Sequence, residues 1–114
     1  MADKIDQLIK RLDDKTRKIV FDRDGYQCVL CGSTEALQWS HLISRTKTAV
    51  RWDPINSTCM CARCHYRHHK QGPEEYTAWF LQTYGEDAYL DLVRRSKQPV
   101  KRLTFVKQKA EEIL

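Results

Sequence analysis

Apolar residues and one threonine recur at spacings of three and four along the first part of the chain. The positions are Ile5, Leu8, Ile9, Leu12, Thr16, Ile19 and Val20. One face of an α-helix repeats at this interval, so residues 3 to about 23 are predicted to form an amphipathic helix with Asp3 as its N-cap. A break at Asp13-Asp14 is the alternative, and Arg23 to Tyr26 is predicted to be a turn.

The pattern changes in the middle of the chain. Leu37 to Ser44 combines β-branched and aromatic residues with partial alternation of polar and apolar positions. This composition predicts a strand, with a short partner strand near Ser57 to Met60.

Helical segments follow the second strand. Gly72-Pro73, Gly85 and Gln98-Pro99 separate segments that are free of helix breakers. The predicted helices are Ala62 to Lys70, Pro73 to Tyr84, Glu86 to Ser96, and a last helix capped by Thr104 and ending at Ile113. One face of the second of these helices is aromatic, and we interpret it as core packing. Its residues are Tyr76, Trp79, Phe80 and Tyr84.

The elements and the length together predict one α+β domain. The chain has 114 residues and a mass of 13.5 kDa, which excludes a two-domain enzyme. With 41% hydrophobic and 31% charged residues it is too apolar for a disordered chain. No run approaches the roughly 20 apolar residues that cross a bilayer. The N-terminus lacks the pattern of a signal peptide, so a reducing cytoplasm is the expected location.

Cysteine spacing predicts a metal site. Cys28 and Cys31 form one C-x2-C knuckle, and Cys61 and Cys64 form a second. Two such knuckles supply the four thiolates of a tetrahedral structural zinc ion. Cys59 is left over and is interpreted as a buried free thiol, with its replacement of Cys61 as the alternative.

The positive charge is unevenly distributed. The whole chain carries 20 Lys and Arg against 15 Asp and Glu, or +5. Residues 28–72 hold six basic and two acidic groups, which is +4 of that surplus, and residues 94–109 add seven basic groups without an acidic one. A polyanion-binding site and a solvated basic face both fit this distribution.

The insert between the knuckles is longer than in a plain zinc ribbon. It spans 29 residues and carries His41 on the predicted strand and Asn56 just before the second knuckle. His65 and His69 follow at helical spacing, so both imidazoles can reach one divalent cation. His68 is the weaker candidate.

These residues resemble a known family. The segment from Arg23 to Gly32, His41 on a strand, Asn56, and Cys61-x2-Cys64-His65 are similar to the HNH endonucleases with zinc knuckles, whose active site is a ββα-metal finger. The resemblance covers about 50 of the 114 residues. Within that family, the residues around His41, Arg51-Trp52-Asp53 and the aromatic tail are most similar to the NinG/Rap-type phage recombination endonucleases.

The resemblance implies a fold and an activity. It implies a single domain of three segments: an N-terminal helical segment 1–27, a zinc-knuckle finger 28–72 and a helical C-terminal segment 73–114. It implies an endodeoxyribonuclease that hydrolyses phosphodiester bonds in branched or recombination-intermediate DNA in a bacterial host cell. The alternative is a zinc-stabilised nucleic-acid-binding module that does not cut. The oligomeric state stays open, a homodimer included.

The resemblance also implies a role for each site residue. His41 is the expected general base, Asn56 orients the finger or the His41 ring, and Arg45 contacts the phosphate, with Lys47 and Arg51 beside it. His65 and His69 are expected to hold Mg²⁺ or another divalent ion. Ser40 occupies the position before the base, where these enzymes commonly carry a His or Asp metal ligand.

Overall fold

The computed structural model describes residues 4–114, and their architecture confirms the predicted α+β class. A two-stranded antiparallel sheet is surrounded by five helices within this part of the chain. The elements are α1 (Lys4–Arg23), β1 (Leu37–His41), β2 (Ser57–Cys61), α2 (Ala62–Lys70), α3 (Glu74–Tyr84), α4 (Glu86–Ser96) and α5 (Arg102–Ile113), with short 3-10 turns at Thr48–Val50 and Pro54–Asn56. The predicted N-cap, Asp3, lies outside the described residues.

Helix α1 is continuous, so the alternative break at Asp13-Asp14 is wrong. The buried face of α1 carries Ile9, Leu12 and Val20, as the periodicity predicts, whereas Ile19 of the same pattern is exposed. Asp13 lies beside this face, where its carboxylate accepts hydrogen bonds from the side chains of Arg51 and Trp52. One of the two aspartates at the alternative break is therefore a carboxylate with long-range partners inside a continuous helix.

The two strands pair from Leu37 opposite Cys61 to His41 opposite Ser57. Every residue of β2 is buried. Strand β1 ends at His41, three residues earlier than predicted. Beyond it the chain turns toward Asn56, whose backbone carbonyl accepts from the Leu42 N–H at 2.8 Å.

Small clusters on both faces of the sheet make up the core. On one face Met60 packs with Tyr76, and on the other Cys59 packs with Val20 and Phe21. Further clusters join the helices to the connection between the strands: Val50 with Phe80 and Leu92, and Leu12 with Trp52 and Val106. Tyr76 and Phe80 are fully buried, which confirms core packing for the aromatic face of α3.

The helical tail differs from the prediction at two helix starts. Helix α5 begins at Arg102, and Thr104 lies within its first turn, so Thr104 is not the cap. Pro73 precedes α3 as its N-cap residue. Across residues 4–114, none of the helices combines the length and apolar character that a membrane span requires.

Candidate functional site

The four knuckle cysteines converge on one point. The sulfur atoms of Cys28, Cys31, Cys61 and Cys64 all lie within 4.8 Å of one another. The sulfurs of Cys31 and Cys61 are 3.6 Å apart. Four sulfurs at about 2.3 Å from a tetrahedral ion are separated by about 3.8 Å, so the cluster has the dimensions of a metal site. Within the described residues it is the one group of three or more such ligands that could hold an ion.

A tight turn shapes the first knuckle. The Gly32 N–H donates to the Cys28 carbonyl at 2.8 Å, and Gly32 has a φ of 79°, which favours glycine. The Val29 N–H donates to the carbonyl of Cys59 at 3.1 Å. The knuckle is thereby attached to β2, close to the second pair of sulfurs.

The second knuckle lies where β2 passes into α2. Cys61 is the N-cap residue of α2, and Cys64 follows in its first turn. Burial opposes ionisation of Cys61, but hydrogen bonds from the Cys64 backbone and from neighbouring thiols outweigh it and lower the pKa of Cys61 to about 7. Burial, with hydrogen bonds among the same thiols, raises the pKa of Cys64. A helix N-terminus thus favours thiolate formation at Cys61.

Cys59 is separate from this cluster. It is fully buried against Val20 and Phe21, on the other face of β2. Burial raises the pKa of Cys59 to about 11. The predicted buried free thiol is confirmed. The alternative in which Cys59 replaces Cys61 is wrong, because the sulfur cluster contains Cys61, whereas Cys59 packs against Val20 and Phe21.

Arg23 and Asp24 fix the end of α1 to β2. The Arg23 guanidinium donates to the carbonyls of Pro54 and Ser57, both at 2.8 Å, and to the Asp24 carboxylate. Asp24 also accepts from the backbone N–H of Cys59 at 2.9 Å. The predicted turn at this point therefore has a positioning role that its sequence did not reveal.

His41 is the last residue of β1 and is 8% exposed. Its Nε2 donates to the carbonyl of Arg51 at 3.0 Å, which leaves the lone pair of Nδ1 free in the neutral ring. Burial lowers the pKa of His41 to about 4, so the ring is neutral at physiological pH. Trp39 packs on it with ring centroids 4.3 Å apart. A neutral imidazole in a fixed orientation can act as a proton acceptor.

Asp13 fixes the carbonyl that orients His41. Its carboxylate accepts from Arg51 Nε at 3.0 Å, from Arg51 Nη2 at 2.6 Å and from Trp52 Nε1 at 2.8 Å. Arg51 lines the same pocket as Arg45, as expected, but its guanidinium is engaged by Asp13. The polar chain from Asp13 through Arg51 to His41 connects α1 to the strand histidine.

His65 and His69 project from the same face of α2 toward His41. Their ring centroids are 4.3 Å apart, and both line the same cleft as His41. Ser40 Oγ is hydrogen-bonded to His65 Nδ1. A proton on Nδ1 is donated to Ser40 Oγ, and this hydrogen bond fixes the orientation of the ring. The other ring nitrogen, Nε2, is then free to bind a cation. Burial and the neighbouring His69 and His68 lower the pKa of His65, which favours its neutral, ligating form.

His68 points in a different direction. Its Nε2 donates to the backbone carbonyl of His41 at 3.1 Å, and its ring packs on Tyr76. These contacts hold α2 against β1. The structure places His68 outside the lining of the cleft, as expected for the weaker ligand candidate.

Asn56 organises the connection between the strands. It is fully buried; its Oδ1 accepts from the Ile43 N–H at 2.9 Å, and its Nδ2 donates to the carbonyls of Ile43 and Val50, both at 3.0 Å. All of these contacts are with backbone. Asn56 therefore orients the finger, and the Arg51 carbonyl, not Asn56, orients the His41 ring.

A cleft of about 340 Å³ brings the site residues together. Arg45 lines it from the loop after β1 and makes no ion pair with any described residue, and neither does Lys47. The residues along the cleft are Trp39, His41, Ser44, Arg45, Thr46, His65 and His69. A proton acceptor, two imidazoles and a free guanidinium thus face one open space.

The basic residues of the tail are divided. Arg94 pairs with Asp91, and Arg95 pairs with Asp53 and Asp91. Arg102 has no such partner in residues 4–114, and it lies in the same pocket as Arg45. In the second basic segment, residues 94–109, Arg94 and Arg95 are therefore neutralised by carboxylates, whereas Arg102 lies close to Arg45 of the finger.

Sequence analysis missed two positioning residues and one cation. Asp13 appeared only in the alternative helix break at Asp13-Asp14, and Asp24 only as a turn residue. Arg102 had no signal beyond the charge run. A carboxylate on the border of an apolar stripe is a signal for a buried partner, but the sequence does not identify that partner.

Comparisons with protein-family models, with curated proteins and with solved structures find no match to this chain. Its function must therefore be inferred from the chemistry of the cysteine cluster and the cleft.

Proposed function

We propose that this protein is a metal-dependent DNA endonuclease of the HNH type, with its active site in the cleft between β1 and α2. The observation that carries the proposal is the position of His41, with Nδ1 free and Nε2 bonded to the Arg51 carbonyl, opposite His65 and His69. A phosphodiester in this cleft meets a base, cation ligands and the Arg45 guanidinium together. These are the groups that hydrolysis of the bond requires.

The chain's own residues have defined parts in the reaction. Nδ1 of His41 accepts a proton from water as the water oxygen bonds to phosphorus. The bond from phosphorus to the 3′ oxygen breaks, its electron pair stays on that oxygen, and the oxygen takes a proton from solvent water. The products are 5′-phosphate and 3′-hydroxyl ends, and His41 returns its proton to solvent. Arg45 holds the phosphate by charge-assisted hydrogen bonds, and Ser40 keeps the His65 ring in one orientation.

The donor set of the cleft fits a divalent ion. His65 and His69 would hold it, and when bound it supplies positive charge beside the departing oxygen. Two imidazoles leave the remaining coordination to phosphate and water. Because imidazole suits transition metals and Mg²⁺ prefers oxygen, we expect Mn²⁺ to support faster cleavage than Mg²⁺ at equal concentration.

Zinc is the proposed ion of the cysteine cluster. Four thiolates at these distances form a closed tetrahedral site without a free position, which is typical of a structural ion. The ion would join the turn before β1 to the start of α2, and so fix the helix that carries His65. Its proposed role is therefore structural.

Branched or recombination-intermediate DNA is the proposed substrate class, on the resemblance to NinG/Rap-type enzymes. Equal cleavage of linear and branched DNA at moderate salt would remove the recombination role and leave the nuclease. Preferred nicking of the branched substrates would support it.

A cleavage assay on labelled linear, nicked, flapped and four-way DNA, with Mg²⁺, Mn²⁺ or EDTA, tests the proposal. We expect divalent-dependent cutting that falls roughly 10²- to 10⁴-fold in His41→Ala, the range for loss of a general base. His41→Gln retains a donor for the Arg51 carbonyl and controls for the buried hydrogen bond. DNA binding should persist in both variants.

The same assay distinguishes the binding-module alternative. Tight DNA binding with no cutting by the wild type under any metal would favour a zinc-stabilised nucleic-acid-binding module. Wild-type cleavage rates in both His41 variants would show that His41 is a structural residue of the strand.

A further inference from the structure

A second pocket adjoins the cleft. It has a volume of about 220 Å³ and shares Arg45 and Thr46 with the cleft lining. Its other polar walls are Thr48, Arg51 and Arg102, and Ile9 and Trp52 complete it. We refer to it as the arginine pocket. The first residue of α5 and the loop after β1 thus meet at one concave surface.

The arginine pocket is positively charged, and none of the residues that line it is acidic. It is lined by three arginines and no carboxylate. Asp13 neutralises Arg51 through a bidentate contact. Arg45 and Arg102 make no ion pair with residues 4–114. Two guanidiniums therefore remain available to an anion, with threonine hydroxyls beside them as further donors.

We infer that the arginine pocket binds a DNA backbone phosphate next to the one that is cut, with Arg102 supplying a contact from outside the finger. The inference rests on the proposed nuclease function and adds a second phosphate position to it. Because Arg45 lines both spaces, a strand that places one phosphate in the cleft continues directly into the arginine pocket. Helix α5 is thereby part of the DNA-binding surface.

The ligand class follows from the shape and donors of the pocket. Guanidinium groups match the paired oxygens of a phosphodiester. A free inorganic phosphate offers the same oxygens, so the experiment must separate the two sources. Shared use of Arg45 favours the phosphodiester, because only a continuous backbone links the two spaces.

Arg102→Gln is the test variant, and Lys107→Gln is the matched control. Both residues are exposed on α5, but Lys107 does not line the pocket. DNA binding is measured in EDTA across a range of salt concentrations, so that cleavage plays no part. We expect Arg102→Gln to lower the slope of log affinity against log salt by about one, and Lys107→Gln to keep the wild-type slope.

Cleavage of substrates that carry one neutral methylphosphonate linkage locates the contact. In the wild type, a neutral linkage next to the cut should lower kcat/KM by about fivefold to tenfold, through KM. On unmodified DNA, Arg102→Gln should lower kcat/KM by the same factor. In this variant, a neutral linkage next to the cut should cause no further fall in kcat/KM. The control should keep the wild-type pattern.

The outcomes separate the pocket from the nuclease. An Arg102→Gln protein with the wild-type salt slope and full sensitivity at every linkage overturns the inference, even if cleavage is robust. The expected change in slope without cleavage by any metal overturns the nuclease and retains the phosphate contact. Inorganic phosphate that competes with DNA at constant ionic strength, without any linkage-specific effect, would assign the pocket to a free anion and also overturn the inference.

Discussion

His41 owes its orientation to a residue in another part of the chain. The carbonyl that receives its Nε2 belongs to Arg51, and the Arg51 side chain is held by Asp13 on α1. A base that accepts a proton efficiently must be held in position, because a small displacement of the reacting groups is costly. Asp13 is therefore a positioning residue for the proposed reaction, although it does not line the cleft.

Asp13→Ala should lower kcat by up to about 10²-fold with little change in KM, because it releases Arg51 and the carbonyl that orients His41. It should also destabilise the fold by about 1–3 kcal/mol, since Trp52 Nε1 loses its acceptor. Asp14→Ala is the control, because Asp14 is exposed and its one ion pair within residues 4–114 is with Lys10. Steady-state kinetics and denaturant unfolding measure both effects, and equal behaviour of the two variants would contradict the positioning role.

Two histidines of α2, His68 and His69, should respond differently to substitution. His69→Ala should raise the metal concentration for half-maximal cleavage by about 10- to 100-fold, with activity recovered at higher metal. His68→Ala removes a contact to the His41 carbonyl, so it should lower Tm, and added metal should not recover its activity. Metal titrations of both variants decide this. If added metal restored the activity of His68→Ala but not that of His69→Ala, the ligand pair would be His65 and His68, at the three-residue spacing.

Asn56 shows what the sequence could predict at this scale. Its expected role, orienting either the finger or the His41 ring, is implied by the family resemblance and does not follow from its position alone. Its partners, the backbone of Ile43 and the carbonyl of Val50, could not be predicted, because they depend on how the loop folds back over it. Asp13 and Arg51 lie 38 residues apart, and no local pattern connects them.

At the scale of elements, the junction of β2 and α2 joins the two sites. The face of α2 that bears His65 follows directly from the helix turn that presents Cys61 and Cys64. The sequence predicted the bounds of α4 because Gly85 and Gln98-Pro99 flank it, and those of α2 because it lies between the second knuckle cysteine Cys61 and Gly72-Pro73. It misjudged the end of β1 and the start of α5, where Asn56 and the packing of α5 on α1 outweigh local preference.

Zinc content should separate the two neighbouring cysteines of β2. Purified protein should hold one zinc ion per chain. Cys61→Ser should lose the ion and Cys59→Ser should keep it, because Cys61 belongs to the cluster and Cys59 does not. Elemental analysis of the three proteins measures this. Zinc retained by Cys61→Ser and lost by Cys59→Ser would reassign the second knuckle.

At the scale of the whole molecule, the finger depends on contacts with other elements for its stability. Its sheet has two strands, which are marginally stable without further support. Support comes from α1 on one face of β2, from Tyr76 of α3 on the other, and from the cysteine cluster at the end of the sheet. Removal of the proposed ion should therefore affect the whole domain.

A strong zinc chelator under reducing conditions should lower Tm substantially, because binding of a structural zinc ion contributes on the order of 10 kcal/mol to folding in small domains. Circular dichroism during heating measures the change, and added Zn²⁺ should reverse it. The Cys59→Ser protein serves as a control that keeps all four proposed ligands. An unchanged Tm after the ion is removed would show that the core alone stabilises the finger.

The four cysteines of the cluster differ in their exposure to solvent. Cys28, Cys61 and Cys64 are buried, whereas Cys31 is exposed. Exchange of a bound ion with an outside thiol proceeds by attack of the incoming group and departure of one ligand at a time. With the proposed ion bound, Cys31 would be the ligand that a competitor reaches first, and an oxidant would modify it first as well. The lifetime of the ion in the protein would then be set by this one residue, whereas its affinity would depend on all four.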